Sequence, residues 1–273
     1  MKDVGGYVEE YNAFAQQLRE TGIYETPKRG KARGVSSLNS ILFHVQNVAN
    51  VLRSARVAKA TGGLTDEQWG QTSFNVIRIA ENRGAHVSIS GARNCVLREG
   101  PMVFICNHMS LLESFFLAAI TTLGGHTSFV VKEALTNYPV FRHVINSTQP
   151  ITVGRENARE DLKAVLRGGK DLLAGGRSVV IFPQSTRTNV FSDEEFNTLG
   201  SKLASKAGTP IIPVAVKTDF LGNGKFHKDF GKIDPSKTIH IEFGAPVDSA
   251  RPRDSHDEVV SFIKARLERW GAV

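Results

Sequence analysis

From residue 86 to residue 243 the chain alternates short apolar runs with helical stretches, a rhythm that few folds accept. The runs are 86–90, 102–106, 128–132, 150–153, 178–182, 211–216 and 238–243. Val179-Val180-Ile181-Phe182 is apolar without a break, as a strand covered on both faces has to be. Helical spacing falls near 111–123, 139–145, 158–174 and 194–207, and 254–270 closes the chain. Such alternation predicts an α/β fold, with a largely parallel or mixed central sheet flanked by helices.

Ahead of this lies a region of different character. Residues 7–20 read as a short helix, and a basic link follows with Lys28, Arg29, Lys31 and Arg33. In 37–60, Ile41, Leu42, Val45, Val48, Val51 and Leu52 recur at the helical period, until Gly62 and Gly63 stop them. Thr65 followed three residues later by Gln68 is a capping-box pattern that opens another helix, running to about Asn82. The organisation expected is therefore an N-terminal helical region over 1–83 and an α/β domain over 84–273.

Within the α/β part, Asn107-His108-Met109-Ser110-Leu111-Leu112-Glu113 leaves an apolar strand and enters an apolar helix. A histidine at a strand end can reach a cleft and move a proton near neutral pH. A carboxylate that accepts from one imidazole nitrogen fixes the tautomer and leaves the other nitrogen to take a hydroxyl proton. Residues five apart do not share a helix face. The pair therefore requires His108 in the turn and Glu113 in the first helical turn. Ser110-x-x-Glu113 is equally a capping box, which would make Glu113 structural, and both roles stand open.

Two further segments carry donors. Phe182-Pro183-Gln184-Ser185-Thr186-Arg187-Thr188 turns out of the most apolar strand and presents hydroxyls, an amide and a guanidinium, the equipment that holds a phosphate. Val153-Gly154-Arg155 sets an arginine after another short strand.

In order and spacing these segments resemble the glycerophospholipid acyltransferase family, typified by 1-acylglycerol-3-phosphate acyltransferases. That family carries Asn-His-x4-Asp, a segment ending Gly-Arg, Phe-Pro-Glu-Gly-Thr-Arg-Ser, and an apolar strand with a central proline. Here they read Asn107-His108-x4-Glu113, Val153-Gly154-Arg155, Phe182 to Thr188, and Ile211-Ile212-Pro213-Val214. Val131-Lys132-Glu133 is similar to the family's lysine-bearing strand end.

The resemblance implies transfer of a fatty acyl group from acyl-CoA or an acyl carrier protein to the hydroxyl of a lysolipid acceptor. His108 would be the base and Glu113 its partner. Lys132, Arg155, Gln184, Ser185, Thr186 and Arg187 would hold the acceptor, and Pro213 would shape the cleft. It implies no metal and no organic cofactor. Glu113 stands where the family has Asp, and Gln184-Ser185 where it has Glu-Gly. These departures bring in an acceptor other than lysophosphatidate, such as a lyso-amino-lipid, and a silent lipid-binding homologue as alternatives to a 1-acylglycerol-3-phosphate-like acceptor. The retained base, carboxylate partner and both arginines favour an active enzyme.

The net charge of +7 points to an anionic partner. Nucleic acid is not expected, because the chain has no recognisable binding motif and its basic residues are not interleaved with aromatics. A membrane surface with anionic lipids fits better, with the stripe of 37–60 and its basic neighbours Arg53, Arg56 and Lys59 lying on it. Two cysteines give no disulfide framework, the first 20 residues hold no apolar signal core, and no run reaches the roughly 20 apolar residues of a membrane span. The expected location is peripheral, on the cytoplasmic side of a membrane.

Overall fold

The structure, a computed structural model, describes residues 6–27, 36–139, 141–154, 156–184, 186–224 and 228–272. Helices α1 (Val8–Thr21), α2 (Ser37–Thr61) and α3 (Asp66–Asn82) come first, with the short strand β1 (Tyr24–Glu25) after α1. The alternating part follows as β2 (Val87–Ser90), α4 (Arg93–Val96), β3 (Val103–Cys106), α5 (Leu112–Thr121), β4 (Thr127–Lys132), α6 (Glu133–Asn137) and α7 (Phe141–Ile145). It continues with β5 (Ile151–Val153), α8 (Ala158–Ala174), β6 (Ser178–Ile181), α9 (Leu199–Ala207), β7 (Ile211–Lys217), β8 (Ile239–Phe243) and α10 (Pro252–Arg269).

The strands form one sheet in the order β1-β2-β8-β7-β3-β6-β4-β5. From β7 to β5 all neighbours are parallel, while β8 is antiparallel to β7 and parallel to β2. The sheet is thus mixed and largely parallel, as the alternation predicts. Its parallel block brings the C-terminal ends of β3, β4, β5, β6 and β7 to one edge, where open α/β sheets place their ligand sites.

Strand pleat sorts the core into two layers. Phe104 and Cys106 of β3 face one cluster, with Phe116, Val180, Ile212 and the N-terminal helix residues Phe14, Phe43 and Phe74. Val103 and Ile105 face the other, with Val165 of α8, Leu203 of α9 and Ile263 of α10. The first cluster runs unbroken across position 83, so the N-terminal helices share a core with the sheet. Helix α3 opens on the predicted capping box: the Thr65 hydroxyl accepts from the Gln68 backbone amide, and Gln68 Oε1 accepts from the Thr65 backbone amide.

Two helical regions differ from expectation. Helix α9 begins at Leu199 rather than 194, because the Asn197 side chain accepts from the Leu199 amide and donates to the Pro183 carbonyl, which holds the preceding residues in turns. Residues 133–145 form two short helices interrupted by the turn at Tyr138 and Pro139. Helix α2 turns most of its apolar stripe outward. It buries Asn39, Ser40, Phe43, Asn50 and Ser54, and leaves Leu38, Ile41, Leu42, Val45 and Val48 exposed. The reason is a polar seam with α3: Asn50 donates to the Thr72 carbonyl, Asn75 donates to Asn50, and the Ser54 and Thr72 hydroxyls bond at 2.8 Å.

Candidate active site

Strand β3 delivers the histidine. At its end, Asn107 donates to the Val216 carbonyl and accepts from the Val216 amide, both at 2.8 Å, so the turn is stitched to β7. His108 follows with its backbone fastened on both sides by the loop after β6. Its amide donates to Gln184 Oε1 at 2.6 Å, and its carbonyl accepts from the Thr188 amide at 3.0 Å. The Phe182 ring stacks on the imidazole, with centroids 4.3 Å apart and planes 20° from parallel. Two hydrogen bonds hold the main chain, and one face of the ring is covered.

His108 Nδ1 lies 2.9 Å from Glu113 Oε1. A carboxylate has only acceptors, so Nδ1 carries the hydrogen and Nε2 keeps its lone pair. The five-residue spacing works because α5 begins at Leu112, which puts Glu113 in the first helical turn and His108 in the loop ahead. Ser110 shares the capping with its neighbour. Leu111 holds the N-cap position, while the Ser110 hydroxyl accepts from the Leu112 amide at 3.1 Å.

Glu113 fulfils both of the roles that its spacing left open, as cap and as imidazole partner. Oε1 accepts from the Met109 and Ser110 amides as well as from His108, and Oε2 accepts from the Thr218 hydroxyl at 2.7 Å and the Ser110 hydroxyl at 3.0 Å. The carboxyl is fully buried. Burial alone would raise its pKa. The His108 pair, the Thr218 hydroxyl and the backbone amide more than offset that, and hold it below the usual carboxylate value. The adjoining Cys106 thiol is pushed well above its usual value by burial and then by the Glu113 charge, which makes it inert.

The remaining predicted residues distribute unevenly. Lys132 ends β4 at the same sheet edge, two strands from β3, with its side chain exposed. Arg155 and Ser185 lie outside the described residues; next to Arg155, the Gly154 amide donates to Asp161 at the end of β5. Thr186 and Arg187 lie in the loop after β6. There Thr186 accepts from Lys228 at 2.7 Å, and Arg187 pairs with Asp229 at 2.6 Å. Gln184 is turned inward, buried against the His108 backbone, so it holds that main chain instead of facing an acceptor. Pro213 is buried within β7 opposite Ile105, inside the sheet and away from the cleft edge.

No local motif signals Thr218, which follows β7, or Lys228 and Asp229. Their partners are more than 40 residues away along the chain. The stacking of the Phe182 ring on His108 depends on the β3–β6 pairing, which no local pattern reveals.

The Gln184 bond gives a direct expectation. Gln184→Leu keeps the bulk but leaves the buried His108 amide without its acceptor, a loss of about 1–3 kcal/mol. Urea unfolding would measure it, and turnover should fall alongside because the histidine is no longer held. A glutamate at 184, as in the resembled family, would supply the same acceptor atom.

The family model described as Acyltransferase matches residues 86–217. A 1-acyl-sn-glycerol-3-phosphate acyltransferase of Pseudomonas aeruginosa is 32% identical over 206 residues, 75% of this chain and 74% of that protein. One from Chlamydomonas reinhardtii is 28% identical over 138 residues, half of this chain but only 39% of the algal protein. The crystal structure of the 1-acyl-sn-glycerophosphate acyltransferase PlsC from Thermotoga maritima superposes with a TM-score of 0.64, over 86% of this chain and 96% of that one. At 18% identity that match speaks for the fold. On the extent and identity of the Pseudomonas match, the chain belongs to the acyltransferase family and is an O-acyltransferase.

Proposed function

We propose that the protein moves a fatty acyl group from a thioester, acyl-CoA or acyl carrier protein, to the free hydroxyl of a 1-acylglycerol-3-phosphate-like lysolipid. The observation that supports this most is the His108–Glu113 pair at the sheet edge, with Nδ1 engaged at 2.9 Å. His108 Nε2 accepts the acceptor's hydroxyl proton as that oxygen attacks the thioester carbonyl. Glu113 stabilises the imidazolium that forms. When the tetrahedral intermediate collapses, the C–S bond breaks and the imidazolium returns the proton to the leaving thiolate. Arg187 and Lys132 bind the acceptor's phosphate as charged donors, with the Thr186 hydroxyl as a neutral one. The thioester supplies the driving force, and this chemistry calls on no cofactor.

The relatives' names favour a lysophosphatidate acceptor. The test is thiol release from an acyl-CoA and from an acyl carrier protein thioester across a panel of lysolipids. Release that depends on a 1-acylglycerol 3-phosphate supports the reading. Release equal in water and with every acceptor would sink it in favour of a thioesterase.

Helix α2 supports a peripheral place on an anionic membrane. No described helix is long and apolar enough to cross one. On α2, Leu38, Ile41, Val45 and Val48 are 66%, 57%, 57% and 47% exposed, and Arg53, Arg56 and Lys59 continue the exposed surface toward its end. An apolar stripe followed by basic residues suits a helix lying in the headgroup boundary. Changing both Ile41 and Val45 to Asp is expected to weaken binding to phosphatidylglycerol vesicles by at least about tenfold, since each buried aliphatic side chain contributes roughly 1.5–3 kcal/mol. Because both side chains face solvent, the melting temperature should stay within about a degree or two. Vesicle sedimentation and a thermal melt check the two halves.

A further inference from the structure

The phosphate-binding loop of the proposed reading is already occupied from within. Asp229 Oδ1 lies 2.6 Å from Arg187 Nη2, and Lys228 Nζ donates to the Thr186 hydroxyl. The Arg187–Asp229 contact is close but poorly aligned, because Arg187 Nη1 and Asp229 Oδ1 are both buried without a hydrogen-bond partner among the described residues. A guanidinium fork is satisfied by two parallel bonds to a carboxylate or phosphate. Here it is blocked without being filled.

The residues behind Asp229 are fastened to α2. The Phe230 ring meets the His44 ring edge-on at 5.2 Å, His44 Nε2 lies 2.7 Å from the Gly231 carbonyl oxygen, and the Ile233 amide donates to the Ser40 hydroxyl. Position 231 accepts only glycine: a Cβ there would stand 1.5 Å from the Gly222 carbonyl oxygen. The strap is therefore pressed backbone to backbone on one side and bonded to the membrane-facing helix on the other. Phe230 itself is 59% exposed and meets α2 at His44, whose helix neighbours include the exposed Ile41 and Val45.

We propose that residues 228–233 form an autoinhibitory strap, in which Asp229 closes Arg187 in water and contact of α2 with lipid opens it. This rests on the reading of Arg187 as a ligand of the acceptor's phosphate. The energy for opening comes from Phe230. Against His44 it stays half in water, whereas in a bilayer interface it buries its ring, so lipid favours the strap position in which that ring has swung away. Moving Phe230 pulls on its neighbour Asp229. A phosphate monoester then takes the vacated fork, with Lys228 released from Thr186.

The probe is glycerol 3-phosphate, which carries the headgroup and stays in water. Its dissociation constant would be measured calorimetrically with and without phosphatidylglycerol–phosphatidylcholine vesicles, on the full chain and on Asp229→Asn, Phe230→Ser and Arg187→Lys. Vesicles should tighten binding to the unaltered protein by about twofold to fivefold, the scale of a partly exposed ion pair. Asp229→Asn should bind that tightly without vesicles and respond no further. Phe230→Ser should lose the response while keeping the weaker constant. If Arg187→Lys leaves binding unchanged, Arg187 does not hold the phosphate and the underlying reading fails. If Arg187→Lys weakens binding but Asp229→Asn binds no tighter than the unaltered protein, or still answers to vesicles, the strap is structural and the proposal is overturned. A melting curve for each variant separates these outcomes from misfolding.

Discussion

Alanine at position 108 is expected to lower acceptor-dependent thiol release by about 10²–10⁴-fold, the usual contribution of a positioned general base. The fold should survive. Without the imidazole, Glu113 still accepts from the Met109 and Ser110 amides and from the Ser110 and Thr218 hydroxyls, so the buried carboxylate is not stranded. The neighbouring backbone also stays in place, because Asn107 remains bonded to Val216, and Gln184 and Thr188 bond to main-chain atoms that alanine retains. Steady-state thiol release with saturating donor and acceptor, beside a urea melt, would separate chemistry from folding. Turnover within tenfold of the unaltered enzyme would remove His108 from the mechanism.

Changes at Glu113 should separate rate from stability according to the replacement. Glutamine keeps Oε1 for the His108 ring and the two amides, and sets an amide nitrogen where the Ser110 and Thr218 hydroxyls can turn to accept. Glu113→Gln should therefore fold, yet lose turnover because the imidazolium has no counter-charge. Leucine strands every one of those donors, and should cost about 3–5 kcal/mol, as breaking a buried pair does.

The pH dependence has a definite sign. Glu113 has a lower pKa folded than unfolded, so below the unfolded value of about 4.3 the unfolded chain binds the extra proton and stability falls with pH. This loss is complete only once pH has dropped through the lower, folded value. Above the unfolded value the contribution is fully present. Urea midpoints from neutral pH down to the acid limit should be flatter in that interval for Glu113→Gln. Identical slopes for both proteins would show that the buried carboxylate is not held in its charged form.

The sheet was legible in the sequence because its strands are covered on both faces. Val179-Val180-Ile181 and Ile211-Ile212 need no partner to be read as buried strands. Strand order was not legible, since it depends on pairings such as Val103 with Val179 and with Ile211, which lie far apart in the chain. In the site, His108 and Glu113 could be named from one local segment. The identity of Gln184 as a support for His108 could not, because a side chain's direction out of a loop is settled by what packs behind it. Helix α2 shows the same limit. Its period was clear, but periodicity does not say which stripe faces inward, and the polar seam of Asn50, Ser54, Thr72 and Asn75 decided that.

The two bonds from the β6 loop to the His108 backbone bear on regiochemistry. Through Gln184 and Thr188, the histidine and the loop that bears Arg187 become one mechanical piece, although their residues stand 76 or more positions apart. On the proposed assignment, the span from anchored phosphate to Nε2 is then a fixed template laid against glycerol. One carbon's hydroxyl lies at that span, and its neighbour falls short or overshoots. Which isomer the enzyme makes is thereby written into main-chain hydrogen bonds, independently of the length of the acyl chain being transferred.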